Sequence, residues 1–110
     1  ADGEKDGICY VVSESPSGPY EEPSDNKISL ADTALEGNCI YRNTENGKYI
    51  LIADRFKSGG YFMQESDDLI HFTVVEKERY SLDHLKPRHG SVLSVSDEEY
   101  NRLIEFYGIE

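Results

Sequence analysis

The chain has 110 residues, of which 37% are apolar, and this length accommodates one small domain with a modest core. Its 22 acidic and 11 basic residues give a net charge of -11 without a basic stripe, so nucleic acid and anionic membranes are unexpected partners. No run approaches the ~20 apolar residues that cross a bilayer, and residues 1–7 lack the pattern of a signal peptide. We therefore expect a soluble chain, either cytoplasmic or secreted.

The N-terminal third contains one β-prone run followed by a polar excursion. The run Ile8–Ser13 predicts a strand, which must end because Pro16 and Pro19 cannot donate to a ladder. Residues 21–34 are polar and predict a surface excursion, with Ile28–Leu30 as a candidate short edge strand.

Residues 35–75 contain four runs rich in Ile, Val, Tyr and Phe, separated by turn signals. The runs are Asn38–Asn43, Lys48–Asp54, Tyr61–Ser66 and Ile70–Glu76. Asn46-Gly47 suits a tight type I′ hairpin turn, and Gly59-Gly60 allows a longer turn. In Ser66-Asp67-Asp68 the side chains can form hydrogen bonds with nearby backbone groups. The pattern predicts an all-β fold, an antiparallel four-stranded meander of the kind that β-propellers repeat around an axis.

The C-terminal third predicts a loop, a strand and a short α-helix. Lys77–Arg88 predicts a loop, because Pro87 prevents a helix end or an inner strand there. Gly90–Val95 has small residues at alternate positions and predicts a fifth, tightly packed strand. Ser96 and Glu99 form a capping-box signature. The helix that follows should present one apolar face and end at Gly108, because apolar residues recur at helical spacing: Tyr100, Leu103, Ile104 and Tyr107.

The two cysteines, Cys9 and Cys39, lie in apolar runs, and their spacing fits no metal motif. Buried free thiols are the simpler interpretation. A disulfide between them stays open, because a sequence does not show whether two Cα atoms come close enough to be bridged.

Two positions carry side chains suited to chemistry. Glu36 directly precedes a predicted strand and, taken alone, is interpreted as a solvent-facing loop glutamate. His89 lies with Arg88 between a rigid proline and a flexible glycine. It is either a donor or ligand placed for function, or a satisfied buried histidine.

Several short sequence motifs along the chain occur together in one known enzyme family. They are Ser13–Glu21, Glu36-Gly37 followed by Ile40-Tyr41, the hairpin Asn46–Leu51, Gly59-Gly60-Tyr61 with Ser66–Leu69, and Arg88–Val92. In register over about Ile8 to Gly108, they resemble the C-terminal part of glycoside hydrolase family 43, whose arabinofuranosidases, arabinanases and β-xylosidases are five-bladed propellers. The resemblance implies one partial propeller domain over residues 1–110, with a complete blade at residues 38–76 and partial blades beside it.

The resemblance implies roles for three residues. Glu36 would be the general acid that protonates the leaving oxygen in inverting hydrolysis of arabinose- or xylose-containing polysaccharide. Such an acid needs a raised pKa, and a second carboxylate must activate water on the other side of the sugar. His89 would face the central channel, where family members hold a hydrated metal ion, frequently calcium. Arg88 would contact the sugar or orient an acid.

The family's catalytic base belongs to earlier blades, and no residue of this chain matches its motif, so the chain alone is expected to be inactive. About one sheet also leaves open strand edges, which a propeller removes by closing its ring. We therefore expect a fragment that binds a pentose-containing carbohydrate and is completed by the missing blades or by copies of itself. The alternatives are a non-catalytic carbohydrate-binding or assembly module, and a structural β-domain unrelated to sugars.

Overall fold

The structure is a computed structural model that describes residues 7–31, 33–82 and 88–108. One antiparallel sheet has four strands in the order β1-β2-β3-β4: β1 (Glu36–Arg42), β2 (Tyr49–Asp54), β3 (Tyr61–Ser66) and β4 (Phe72–Val74). A 3-10 turn follows β4 at Lys77–Arg79, and the helix α1 covers Asp97–Tyr107. The predicted all-β meander with a short C-terminal helix is confirmed. Its interpretation as one blade of a partial propeller stays a prediction.

The sheet separates two apolar clusters, because successive residues of β2 and β3 point to opposite faces. On one face, sheet residues pack against the N-terminal segment, and the buried members are Ile8, Ile28, Leu35, Leu51, Ala53 and Phe62. On the other face the buried members are Ile50, Ile52, Met63 and Val75. The N-terminal segment therefore covers one face of the sheet. Its buried residues Ile8 and Ile28 belong to the same core as Leu51 of β2.

The strand predicted at Ile8–Ser13 is wrong. Only two isolated antiparallel pairs form in this segment, Cys9 with Lys27 and Val12 with Glu21. Between these two pairs the outgoing chain has two residues, 10–11, whereas the returning chain has five, 22–26, so the residues cannot pair one to one. A continuous ladder therefore does not develop.

The candidate edge strand at Ile28–Leu30 is also absent, because a side chain takes the place of a partner strand. Gln64 of β3 is fully buried. Its amide nitrogen donates to the carbonyl of Ile28 at 2.6 Å, and its oxygen accepts from the backbone N–H of Leu30 at 2.7 Å. Backbone groups beneath an apolar cluster need partners, and this glutamine supplies them.

The turn between β1 and β2 differs from the prediction. The backbone N–H of Asn43 donates to Lys48 and that of Gly47 donates to Asn43, both at 2.8 Å, so the loop has four residues. Gly47 has a φ of 73°, but Asn46 does not have a positive φ. A type I′ turn needs positive φ at both central residues, and the predicted two-residue turn is therefore wrong.

The turn between β3 and β4 forms as predicted from Ser66-Asp67-Asp68. The Ser66 hydroxyl accepts from the backbone N–H of Leu69 at 2.9 Å. The Asp68 carboxylate accepts from the backbone N–H groups of Ile70 and His71, at 2.9 and 2.8 Å. The side chains thus satisfy backbone donors that no strand partner reaches.

The fifth strand predicted at Gly90–Val95 is wrong. Residues 90–95 are exposed and adopt no regular structure, and no strand within the described residues pairs with them. Backbone donors and acceptors without a neighbouring strand are satisfied by water, so the alternating pattern does not by itself produce a ladder. The loop predicted at Lys77–Arg88 begins with the 3-10 turn, and its part at residues 83–87, including Pro87, lies outside the described residues.

Helix α1 begins and ends as predicted. The Ser96 hydroxyl accepts from the backbone N–H of Glu99, whose carboxylate accepts from the backbone N–H of Ser96, both at 3.1 Å. Gly108 closes the helix with a φ of 65°. The helix contacts none of the four strands, and Leu103 and Tyr107 on its apolar face are exposed. No helix in the described part of the chain is long and apolar enough to cross a membrane.

Both cysteines are free thiols, so the disulfide is not formed. Cys9 is exposed, and the prediction of a buried thiol is wrong there. Its neighbour Ile8 is buried against the sheet, and adjacent residues of extended chain point in opposite directions. Cys39 is half-buried.

Candidate functional site

One end of the sheet brings two carboxylates side by side. Glu36 is the first residue of β1, not a loop residue, and it pairs in register with Asp54, the last residue of β2. Asp54 pairs on its other side with Tyr61, the first residue of β3. The register shifts just after Glu36, where Gly37 has a φ of 57°. This bulge bends β1 and changes the direction in which the side chain of Glu36 points.

Arg88 contacts both carboxylates. Its guanidinium donates through Nη2 to Glu36 and through Nε to Asp54, the latter at 3.3 Å. The hydrogen bond and charge attraction to Glu36, with a smaller contribution from Asp54, raise the pKa of Arg88 above its ordinary value. The guanidinium is therefore a permanent cation at this end of the sheet.

His89 completes the group. Its backbone N–H donates to the carboxylate of Asp54 at 3.0 Å, and its carbonyl accepts from the hydroxyl of Tyr61. The imidazole Nε2 lies 3.4 Å from the carboxylate of Glu36. The His89 side chain is 60% exposed, so the alternative of a buried histidine is wrong. The structure thus brings Glu36, Arg88 and His89 together.

Asp54 is the site residue that the sequence interpretation did not single out. It is 3% exposed, and its carboxylate contacts both Arg88 and the backbone of His89. One feature of the sequence pointed to it: an acid at the end of the apolar run of β2 is expected to be buried. A buried carboxylate is uncommon unless it is paired. Its partners lie far away in the sequence, however, and the run itself does not identify them.

The two carboxylates do not form an inverting pair. The ligand atoms of Glu36, Asp54 and His89 lie within 4.8 Å of one another. Inverting enzymes separate their carboxyl groups by about 6.5–9.5 Å to leave room for a water molecule. Asp54 is also buried, whereas the side chain of Glu36 is 36% exposed. Asp54 therefore does not have the position of an inverting base relative to Glu36, and Glu36 is the more exposed carboxylate of the pair.

The same three side chains offer a poor place for the calcium ion that the resemblance implies. Calcium takes about six to eight oxygen ligands, whereas His89 offers a nitrogen atom. The guanidinium of Arg88 already contacts both carboxylates and would repel a second cation. With Arg88 bound to both carboxylates, these three side chains do not by themselves form a calcium site. The hydrated ion expected near His89 is not tested by this arrangement and stays a prediction.

Comparison with known protein families gives a match over most of the chain. A family described as a probable glycosyl hydrolase domain, related to glycoside hydrolase family 43, matches residues 1–101. This range contains all four residues that meet at the end of the sheet. No curated protein and no solved structure shows a significant match.

Proposed function

Because the chain belongs to this family of probable glycosyl hydrolase domains, we propose that it is the C-terminal part of an inverting glycoside hydrolase. Its substrate is an arabinose- or xylose-containing polysaccharide, Glu36 is the general acid, and the base comes from outside this chain. One observation carries the proposal: Glu36 and Arg88, 52 positions apart, meet with His89 at an accessible end of the sheet.

In this proposal the Nη2 group of Arg88 changes its hydrogen-bond partner during the reaction. The carboxylate of Glu36 accepts from Arg88 in the structure, and an oxygen engaged in this way cannot donate a proton to a leaving group. Substrate binding therefore moves the Nη2 group of Arg88 from Glu36 to a sugar hydroxyl. Once Arg88 has left it, Glu36 takes up a proton from solvent, faces the glycosidic oxygen and transfers this proton to it as the bond breaks. A carboxylate from the missing part of the enzyme activates the attacking water.

A non-catalytic carbohydrate-binding or assembly module is the second candidate. Within the described residues, the second carboxylate of this site is Asp54, which is buried and too close to Glu36 for inverting hydrolysis. A binding module that keeps the sheet but has no catalytic activity would show the same pair of carboxylates. Hydrolysis and sugar binding therefore have to be measured separately.

The test compares the isolated chain with the complete protein that its gene encodes. We expect the complete protein to hydrolyse a nitrophenyl arabinofuranoside or xyloside, and we expect the isolated chain to be inert. Glu36→Gln should lower the rate on an unactivated oligosaccharide by about 10²-fold or more. The loss should be smaller with the nitrophenyl glycoside, because nitrophenolate leaves without much help from an acid.

Glu45→Gln is the matched control, because Glu45 is an exposed glutamate in the loop at the opposite end of β1. It should leave both rates unchanged. If the complete protein and its Glu36→Gln variant are both inert but bind arabino- or xylo-oligosaccharides by calorimetry, the module is the correct function. If they neither hydrolyse nor bind these sugars, the chain is a structural β-domain.

A further inference from the structure

We infer that Asp54 is the positioning residue of this site: its buried carboxylate holds Arg88 and His89 against the end of the sheet, where both meet Glu36. The effect on hydrolysis rests on the proposed function. The positioning itself does not, because it concerns contacts within this chain alone.

The location of Asp54 suits this role. β2 is an inner strand of the sheet, and Asp54 is paired in register with Glu36 on one side and Tyr61 on the other. Its backbone is therefore held by both neighbours, and its side chain is buried. Groups that orient other side chains work best from such rigid elements.

The contacts of Asp54 fix both the side chain of one loop residue and the backbone of the next. One carboxylate oxygen accepts from Nε of Arg88 at 3.3 Å and from the backbone N–H of His89 at 3.0 Å. Bonding at Nε anchors the inner part of the guanidinium and leaves its outer edge directed at Glu36. A buried carboxylate needs such a charge partner, so Asp54 and Arg88 depend on each other.

Asp54 also helps to hold His89 in an unusual backbone conformation. His89 has a φ of 56°, a region that residues other than glycine seldom adopt. Asp54 binds its N–H, and the hydroxyl of Tyr61 binds its carbonyl. The peptide groups on both sides of this residue are thus attached to β2 and β3, and surroundings of this kind keep an unfavourable backbone conformation in place.

NMR on the 110-residue chain tests the inference without any assay of activity. The side chain of Arg88 is 63% exposed, yet its Nε–H should exchange with water about tenfold more slowly than that of Arg102 on α1. Asp54→Asn keeps an oxygen acceptor but loses the charge, so the Arg88 Nε–H signal should lose its protection while the His89 amide keeps part of its own. Asp54→Ala should remove the protection of both.

Asp67→Asn is the matched control, since Asp67 is an exposed acid whose ion pair is with Lys48 at the far end of the sheet. It should leave both signals unchanged. If Asp54 variants lower the melting temperature but keep the Arg88 and His89 signals of the wild type, Asp54 is only structural and the inference fails. If the variants do not fold, the test is the comparison of Arg88 with Arg102 in the wild type. An Arg88 Nε–H that exchanges with water as fast as that of Arg102 overturns the inference.

Activity measurements on the complete protein separate this inference from the proposed function. Asp54→Asn should lower kcat on an unactivated oligosaccharide about tenfold, because Arg88 and His89 are misplaced relative to Glu36. If Glu36→Gln lowers the rate on the oligosaccharide as expected while Arg88 is unprotected in the wild type, the function stands and the inference fails. If Arg88 is protected by Asp54 but no sugar is hydrolysed, the inference stands and the proposed function fails.

Discussion

The imidazole of His89 lies against the backbone of Gly37, in the space that a side chain at residue 37 would occupy. A Cβ atom there would be 2.4 Å from Cδ2 and 2.5 Å from Cγ of His89. Gly37 also has a φ of 57°, which L side chains rarely adopt. The glycine of the bulge in β1 is therefore what allows His89 to approach Glu36.

Gly37→Ala should displace the imidazole from Glu36. The new methyl group cannot share the space of the ring, and the left-handed backbone adds strain of about 1 kcal/mol. NMR signals of the His89 ring should shift, and urea unfolding should show the loss of stability. Gly59→Ala is the matched control, since Gly59 has a φ of 84° but no atom within 4 Å of the position that its new methyl group would take. It should lose only the stability that the strained backbone costs, without a change at His89. His89 signals that stay unchanged in Gly37→Ala would contradict the packing.

Gln64→Leu should detach the N-terminal segment from the sheet. The substitution leaves the carbonyl of Ile28 and the N–H of Leu30 without the partners that Gln64 provides. We expect a loss of about 2 kcal/mol in the free energy of unfolding, measured with urea. Asn26→Ala removes an exposed hydrogen bond to Glu22 in the same segment and should cost much less. Equal stability of Gln64→Leu and the wild type would disprove the anchoring role.

Asp68 should stabilise the chain at neutral pH and less so in acid. The hydrogen bond to the His71 side chain, followed by the backbone N–H groups of His71 and Ile70, holds the pKa of Asp68 well below its ordinary value of 3.8. A depressed pKa in the folded state means that stability is full above the unfolded value and is lost as pH falls through the folded value. Asp68→Ala should therefore be less stable than wild type at pH 7, and the difference should narrow below about pH 4.

Urea midpoints measured from pH 7 downwards check this expectation for Asp68. Asp67→Ala serves as the control, because the neighbouring Asp67 is exposed and its ion pair with Lys48 spans 3.8 Å. Its effect should be small at every pH. A difference between Asp68→Ala and wild type that is constant with pH would rule out the titration of Asp68 as its cause.

The C-terminal segment should associate with other polypeptide. Large apolar side chains are exposed along it: Val92, Leu93, Val95, Tyr100, Leu103, Phe106 and Tyr107. We predict that further polypeptide, either other blades of a propeller or further copies of the chain, covers this surface. Since the net charge of -11 opposes contact between copies, association of the isolated chain should increase with salt.

Sedimentation equilibrium at several salt concentrations measures this association. The double variant Leu93→Ser, Phe106→Ser should weaken it, because these are the most exposed apolar side chains of the segment, at 84% and 81%. Val12→Ser, at an exposed position of the N-terminal loop, should not. A well-folded monomer at every concentration and salt would show that the isolated chain needs no copy of itself.

Local patterns predicted the parts of the fold that local contacts build. The order of the four strands followed from β-prone runs separated by Gly and Asp turn signals, and neighbouring strands joined by short loops pair with each other. The capping box of Ser96 and Glu99 formed as predicted, because its partners are three residues apart. The site was predictable in part: the resemblance identified Glu36, Arg88 and His89, which the structure brings together.

What the tertiary structure alone decided depends on residues far apart in the sequence. The role of Asp54 arises from a register that places it beside Glu36 and from a loop that returns 34 positions later with Arg88. No window around Asp54 contains those partners. Gly90–Val95 shows the converse, since a β-prone pattern becomes a strand only where a neighbour accepts and donates its hydrogen bonds. The sequence by itself thus determined which segments can be strands, turns and helix, while long-range pairing decided which strands form and which carboxylate is buried beside Arg88.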